Sequence, residues 1–148
     1  MSYGKIAAAS LLAVGMLSSQ AFASDQDVAK GKLVFKRCAI CHKVEKDAGN
    51  GVGPNLFGIV GRKSASVEGF NYSGALKKAH ITWTEKNLAK WIAGPAKMVP
   101  GNKMAFGGLP SVKDRLDLIA FLRMQADTPV PLPPPSADGG AAPAPAAP

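Results

Sequence analysis

The chain has 148 residues, of which 18 are Lys or Arg and 10 are Asp or Glu, so its formal net charge is +8. It contains only two cysteines, which excludes a multi-disulfide scaffold and a Cys-rich metal site. The basic charge favours an acidic partner surface or an anionic membrane surface. Because no nucleic-acid-binding motif is present, we expect no nucleic acid among the partners.

Residues 1–23 have the pattern of a secretory signal peptide. A basic start at Lys5 precedes an apolar stretch over residues 6–17, and residues 21–23 (Ala-Phe-Ala) form a cleavage signal. The apolar stretch is shorter than the roughly 20 residues that span a bilayer. We therefore expect cleavage after Ala23 and a periplasmic location, with an uncleaved membrane anchor as the alternative.

The other end of the chain is rich in proline and alanine. Residues 128–148 hold most of the 12 prolines, with Ala, Gly and Ser between them. This composition offers too little apolar surface to offset the entropy lost on folding, which predicts a disordered tail. Residues 24–127 remain as one domain, large enough to fold on its own.

Between these ends, capping residues and apolar spacing predict four helices. Residues 44–72 and 95–110 are rich in glycine or proline and lack helical periodicity, so they are predicted loops. No segment alternates as a strand does, which makes the predicted fold all-α. The predicted helices run from Asp25 or Asp27 to about Arg37, from Ser73 to about Ala79, from Thr84 to the Gly94-Pro95 pair, and from Ser111, with Asp114 three residues on, through residues 116–122.

Directly after the first predicted helix stands Cys38-Ala39-Ile40-Cys41-His42, the pattern for covalent attachment of a c-type haem. On one helical turn both sulfurs can reach the two vinyl groups of a porphyrin, and His42 then lies under the iron. A disulfide across this gap would be strained and would close almost no loop. A thioredoxin-like pair needs a βαβ context, and zinc needs four ligands. One haem also explains the long loops, which would wrap around it.

The second axial ligand of such a haem decides its chemistry. A methionine sulfur raises the reduction potential and closes the iron to small molecules, which favours electron transfer. Met98 and Met104 both lie in the predicted loop 95–110, and His80 is a bis-imidazole alternative. Met124 lies in the last predicted helix, where we expect it to pack in the core.

At this point the chain resembles the class I cytochromes c, in particular the soluble cytochrome c2 and mitochondrial cytochrome c group. The resemblance spans nearly all of residues 27–124. Besides the haem-attachment pattern, the motifs that carry it are Asp27-Val28-Ala29-Lys30-Gly31-Lys32, Gly53-Pro54-Asn55-Leu56, Gly61-Arg62-Lys63, Gly69-Phe70-Asn71-Tyr72-Ser73, Ile81-Thr82-Trp83, Pro100-Gly101-Asn102-Lys103-Met104-Ala105-Phe106 and Asp117-Leu118-Ile119-Ala120-Phe121-Leu122.

The resemblance implies a role for several residues. Met104 would supply the axial sulfur, and the carbonyl of Pro54 would accept a hydrogen bond from the non-ligating nitrogen of His42. Gly31 would allow the first helix to cross the last one near Phe121. The remaining implied haem contacts are Tyr72 and Trp83 at a buried propionate, Arg62 offsetting its charge, and Phe106 covering the exposed edge.

The chain also departs from the family pattern at four positions. Trp91 stands where mitochondrial members carry a tyrosine whose hydroxyl reaches the axial sulfur, and an indole can donate only through its N–H. Leu76 replaces an internal asparagine, and Asn102 replaces a loop threonine. Asn50 stands where many members have a histidine that bridges loops. We therefore expect the reduction potential to be tuned differently.

The resemblance further implies a one-electron carrier rather than an enzyme, with no catalytic residue. A cytochrome bc1 complex would be the donor, and a terminal oxidase of a respiratory chain or a photosynthetic reaction centre would be the acceptor. The protein would be a monomer that docks weakly and in a salt-sensitive way. The cations expected around the haem edge are Lys36, Arg37, Lys97, Lys103 and Lys113.

Two alternatives stay open. The first is a haem enzyme or gas-binding protein with a labile sixth ligand, against which stand the available Met104 and the lack of an evident distal His–Arg pair. The second is a membrane-anchored cytochrome, which would require the signal segment to stay uncleaved.

Overall fold

The computed structural model of the protein describes residues 26–129. The predicted signal peptide (1–23) lies outside the described residues, as do residues 24–25 and positions 130–148 of the predicted tail. Within residues 26–129, no helix is both long and apolar enough to cross a membrane.

Five helices form the described part of the chain. Four begin at an N-cap side chain that accepts a hydrogen bond from a backbone N–H three residues on, as the capping pattern predicts. These caps are Asp27, Ser73, Thr84 and Ser111. The helices are α1 (Val28–Phe35), α2 (Gly74–Lys78), α3 (Glu85–Ala93), α4 (Pro95–Met98) and α5 (Val112–Met124).

The all-α prediction is confirmed. Apart from one isolated bridge between Lys63 and Thr82, the described residues pair no backbone as a sheet would. α5 lies at the centre, because residues 117–123 are all buried and both α1 and α3 pack on it. At its end the buried Arg123 forms an ion pair with Glu85 at the start of α3, and burial lowers the pKa of that guanidinium.

A close crossing joins α1 to α5, as the sequence predicts. A Cβ added at Gly31 would overlap the backbone carbonyl of Asp117 and press on Phe121. Only glycine therefore lets the two backbones approach this far. Next to the crossing, the rings of Phe35 and Phe121 pack with centroids 5.3 Å apart.

Three features differ from the sequence prediction: residues 95–98, the end of α1, and Met124, which is 49% exposed and does not pack in the core. Residues 95–98 form α4 instead of loop: Pro95 stands at the first position, where its missing N–H is not needed, and the N–H of Val99 closes on its carbonyl at 2.9 Å. A helix of four residues is too short to produce a periodic pattern. In addition, α1 ends at Phe35 rather than at about Arg37, and hydrogen-bonded turns carry the chain on to Cys41.

Candidate haem-binding site

A cavity of about 530 Å³ lies between α1, α3, α5 and the loops, and its walls are mainly apolar. Its size is within the range of about 300 to 1,000 Å³ that is usual for cofactor sites. Neither Met98 nor His80 lines it, and His80 is exposed beyond the end of α2. Every residue that the resemblance assigns to haem does line it, namely Cys38, Cys41, His42, Pro54, Arg62, Tyr72, Trp83, Met104 and Phe106.

The two cysteines reach this cavity from the turns that follow α1. The N–H of Ala39 donates to the carbonyl of Phe35 at 2.9 Å, and the N–H of His42 donates to the carbonyl of Cys38 at 2.9 Å. These turns put His42 about one helical turn beyond Cys38. Both thiols are free and half-buried, and burial raises the pKa of the Cys38 thiol.

The imidazole of His42 is held in one orientation. Its Nδ1 lies 2.8 Å from the carbonyl oxygen of Pro54, and since a carbonyl can only accept, Nδ1 carries the proton and Nε2 keeps its lone pair. Burial lowers the pKa of His42, while the bond to Pro54 acts in the opposite direction. A Cβ at Gly53 would collide with the ring, so glycine is required for the imidazole to lie flat against this loop.

Arg62 and Tyr72 place polar groups at the cavity wall. Arg62 donates to the carbonyls of Phe57 at 2.7 Å and Asn55 at 2.9 Å, and burial lowers its pKa while the nearby Tyr72 opposes that shift. Burial raises the pKa of the Tyr72 phenol, whose oxygen accepts from the N–H of Val67 at 3.4 Å. The phenol therefore keeps its proton as a donor near neutral pH.

Two tryptophans form a further part of the wall. Trp83 and Trp91 are both buried, with ring centroids 5.3 Å apart and planes tilted by 55°. Trp91 thus packs against the predicted propionate ligand Trp83, at the position where the resemblance leads one to expect a tyrosine.

Met104 lies in a loop with its own internal bracing. The side chain of Asn102 accepts from the N–H of Met104 at 2.8 Å and donates to the carbonyl of Val99 at 2.8 Å. The N–H of Phe106 then donates to the carbonyl of Met104 at 2.9 Å. The amide at position 102, which replaces a loop threonine, is therefore what fixes the backbone of Met104.

The exposed lining residues mark the mouth of the cavity. Ile40 and Val52 are each 82% exposed, and Arg37, Lys103 and Ala105 are exposed beside them along the same lining. Among the described residues that line the cavity, none is acidic. Lys36 and Lys97, also predicted for this ring, are exposed but do not line the cavity, and Lys113 binds the carboxylate of Asp117.

No sequence pattern marks the apolar residues at the mouth of the cavity or the role of Asn55. Ile40 lies between the two cysteines, and a spacer position in that pattern carries no signal of its own. Asn55 appeared only as part of a motif, yet its side chain bonds three backbone groups. Asn50, which replaces a loop-bridging histidine, accepts a hydrogen bond from the N–H of Asn55 at 2.9 Å and so bridges the same loop.

The residues fit a covalently held haem. Two thiols stand beside a neutral imidazole, a methionine sulfur faces the same apolar cavity, and Arg62 can offset an acidic substituent. The fold and this donor set define an all-α protein of the covalent-haem class.

Comparison with known proteins gives the family. The family model described as Cytochrome c matches residues 28–126, so the chain belongs to the cytochrome c family, whose proteins carry one covalent haem c and transfer electrons. It is 53% identical over 98 residues to cytochrome c of Gibberella zeae, covering 66% of this chain and 92% of that protein. It is 48% identical over 108 residues to cytochrome c2 of Rhodomicrobium vannielii, covering 73% and 86%.

A solved structure supports the same fold. Cytochrome cH from Methylobacterium extorquens superposes with a TM-score of 0.63 and 42% sequence identity, covering 66% of this chain and 98% of that one. The resemblance to class I cytochromes c is thereby confirmed.

Proposed function

We propose that the protein is a periplasmic one-electron carrier whose haem c is bound through Cys38 and Cys41 and ligated by His42 and Met104. The observation that carries this proposal is that these four side chains line one apolar cavity, which Met98 and His80 do not. The haem supplies one-electron chemistry between the ferric and ferrous states. A carrier of this kind would need no side chain to make or break a bond to a substrate, so we assign the protein no catalytic residue.

The protein contributes by fixing the orientation of the side chains that would bind the haem. The bond between His42 and Pro54 fixes the tautomer and the ring orientation that ligation needs. Asn102 braces the backbone of Met104, so that its sulfur would be held where it could bind the haem iron and keep small molecules out. Arg62, Tyr72 and Trp83 would receive the haem propionates, since each brings a cation or a polar hydrogen to the cavity wall.

The mouth of the cavity serves as the docking surface. Arg37 and Lys103 provide positive charge, and Ile40 and Val52 provide apolar contact beside them. Lys36 and Lys97 extend the positive charge outward. Such a surface speeds encounter with acidic sites and allows rapid release. A cytochrome bc1 complex as donor, and a terminal oxidase or photosynthetic reaction centre as acceptor, fit this chemistry.

Carbon monoxide binding tests the closed haem directly. The native ferrous protein should bind carbon monoxide slowly, because Met104 occupies the sixth position, whereas Met104→Ala should bind it rapidly. Met98→Ala is the matched control and should behave as the native protein does. Rapid binding by the native protein would instead support a gas-binding or enzymatic haem.

Charge reversal tests the docking surface. In an assay with a purified cytochrome bc1 complex at low salt, Arg37→Glu/Lys103→Glu should slow association about tenfold. Lys77→Glu/Lys78→Glu changes the charge equally on α2, away from the cavity mouth, and should have a much smaller effect. Equal slowing in both double variants would contradict the assigned surface.

The periplasmic location rests on the signal pattern alone. An intact-mass measurement of the purified protein should give a chain that begins at Ser24 and carries the mass of one haem. A mass that retains residues 1–23 would favour the membrane-anchored alternative.

A further inference from the structure

Asn55 lies directly after Pro54, and its side chain makes three hydrogen bonds to the backbone. Its Nδ2 donates to the carbonyls of Glu45 at 3.0 Å and Gly49 at 3.1 Å. Its Oδ1 accepts from the N–H of Phe57 at 2.7 Å. The side chain therefore anchors its own backbone to both flanking stretches of the loop.

The backbone on either side of Asn55 reaches two functional groups. The carbonyl of Pro54 and the N–H of Asn55 belong to one peptide plane; that carbonyl bonds His42 at 2.8 Å, and that N–H donates to Oδ1 of Asn50 at 2.9 Å. The carbonyl of Asn55 belongs to the next plane and accepts from Arg62 at 2.9 Å. Two rigid planes that meet at Asn55 thus hold the imidazole and one nitrogen of the guanidinium, whose other nitrogen donates to the carbonyl of Phe57 at 2.7 Å.

We propose that Asn55 is a positioning residue that couples the orientation of His42 to the position of Arg62. The proposal rests on the proposed ligation by His42. Rotation of either plane would turn one carbonyl away from its partner, and the side chain of Asn55 restrains both rotations at once. Asn50 restrains only the first plane, because its amide oxygen bonds the N–H of Asn55.

The solvent exposure of the hydrogen bonds made by Asn55 separates a positioning role from a purely structural one. The bonds from Asn55 to Glu45, Gly49 and Asn50 are exposed, so water can replace them and their loss should cost little stability. The bond from the N–H of Phe57 is partly buried, so its loss should account for most of the stability that Asn55→Ala loses. A water molecule that replaces the exposed bonds does not fix the direction in which the backbone carbonyl of Pro54 or Asn55 points. Loss of Asn55 should therefore disturb the two groups more than it disturbs the fold.

The test uses the haem-loaded ferrous protein and nitrogen-15 NMR. In Asn55→Ala, solvent exchange of the His42 Nδ1 proton and of the Arg62 guanidinium protons should each accelerate about tenfold. In Asn50→Ala, only the His42 proton should respond. Lys43→Met is the matched control, because Nζ of Lys43 also donates to a carbonyl of this loop, that of Ala48 at 2.9 Å, in an exposed bond that touches neither plane, and neither signal should change.

The outcomes are distinct. Equal exchange rates in Asn55→Ala and Lys43→Met would overturn the inference alone. A native His42 signal that does not respond to the oxidation state of the haem would overturn the proposed ligation and this inference with it. If Asn55→Ala fails to mature, Asn55→Ser keeps an acceptor for Phe57 but replaces the two amide N–H donors with one hydroxyl on a shorter side chain, and a native exchange rate in that variant would likewise overturn the inference.

Discussion

The loop that carries His42 and the loop that carries Met104 reach the same cavity, yet they are held differently. Gly53 donates to the carbonyl of Cys41 at 2.9 Å and Leu56 donates to that of Lys43 at 2.8 Å, so the first loop is tied along its length. Two thiols add covalent anchors when haem is attached.

The Met104 loop depends mostly on itself. Within the described structure, the hydrogen bonds of residues 100–106 join Val99, Asn102, Met104 and Phe106 to one another. The next bond to another element runs from Leu109 to the carbonyl of Ile92 at 2.8 Å. From this difference we infer that the loop carrying His42 is the more rigid side of the site, which we call the fixed wall. The loop carrying Met104, the sulfur side, is the one able to open.

The largest expected effect comes from deleting either ligand. His42→Ala should remove most of the haem-loaded protein, because the fixed wall loses the imidazole that would bind the iron. Met104→Ala should keep covalent haem and helical structure while lowering the free energy of unfolding by about 2 kcal/mol. Intact mass and circular dichroism measure both. Equal loss of holoprotein in the two variants would contradict the asymmetry.

Glycines on the two sides offer a finer comparison. Gly53→Ala should lower the free energy of unfolding by about 2 to 3 kcal/mol, because its Cβ would strike the His42 ring. Gly101→Ala, at φ 81° with its Cβ at ordinary contact distance, should cost about 1 kcal/mol of backbone strain. Denaturant unfolding of the holoproteins gives both values.

Gly49→Ala is the control for this pair. Gly49 has φ 70° and open space around its Cβ, so it reports strain without a collision and should match Gly101→Ala. A Gly53→Ala cost no larger than that of Gly49→Ala would show that the ring is not confined.

A smaller effect is expected from loosening the sulfur side alone. Asn102→Ala removes the acceptor for the N–H of Met104, so exogenous imidazole should bind the oxidised protein about fivefold more tightly, the equivalent of about 1 kcal/mol. Asn71→Ala changes a second asparagine of the cavity lining, one that is exposed, and should leave that affinity near native. Spectrophotometric titration gives the comparison, and unchanged affinity in Asn102→Ala would show that this amide does not brace Met104.

The smallest expected effect is on the pH dependence of stability, and it comes from Asp27, the N-cap of α1, which lies outside both loops. The hydrogen bond from the N–H of Lys30 lowers the pKa of Asp27, so its contribution to stability is fully present above the ordinary aspartate pKa. That contribution is lost as the pH falls through the lower value of the folded state. Asp27→Asn keeps a capping oxygen without the charge, so its stability should fall less steeply on acidification. Acid titrations of unfolding should show this difference, and identical curves would contradict it.

The sequence was informative wherever local chemistry decides the outcome. Ser73, Thr84 and Ser111 begin helices because a short hydroxyl satisfies a nearby N–H, and that pattern is visible in the chain. Gly31 marked the helix crossing because a glycine inside a helix needs a packing reason. Such features can be predicted from the sequence because each depends on residues a few positions apart in the chain, or on the absence of one side chain.

The rest depends on tertiary contacts. Residue chemistry alone leaves Met98, Met104 and His80 open as candidates. The resemblance points to Met104, and the folded loops bring Met104 but neither of the other two to the cavity. The role of Asn55 is hidden for the same reason, since asparagine is common in loops and its bond to Arg62 forms only after the loop closes. The short helix α4 is invisible to any periodic pattern.

The most direct measurement is an imidazole titration of the oxidised holoprotein, followed by proton NMR of the Met104 methyl group and the His42 Nδ1 proton. The Met104 methyl signal should leave its haem-shifted position first, while the His42 proton still exchanges slowly with solvent. A titration in which the His42 proton is lost first, or in which both signals change together, would contradict a haem held by a fixed imidazole wall and closed by a releasable sulfur.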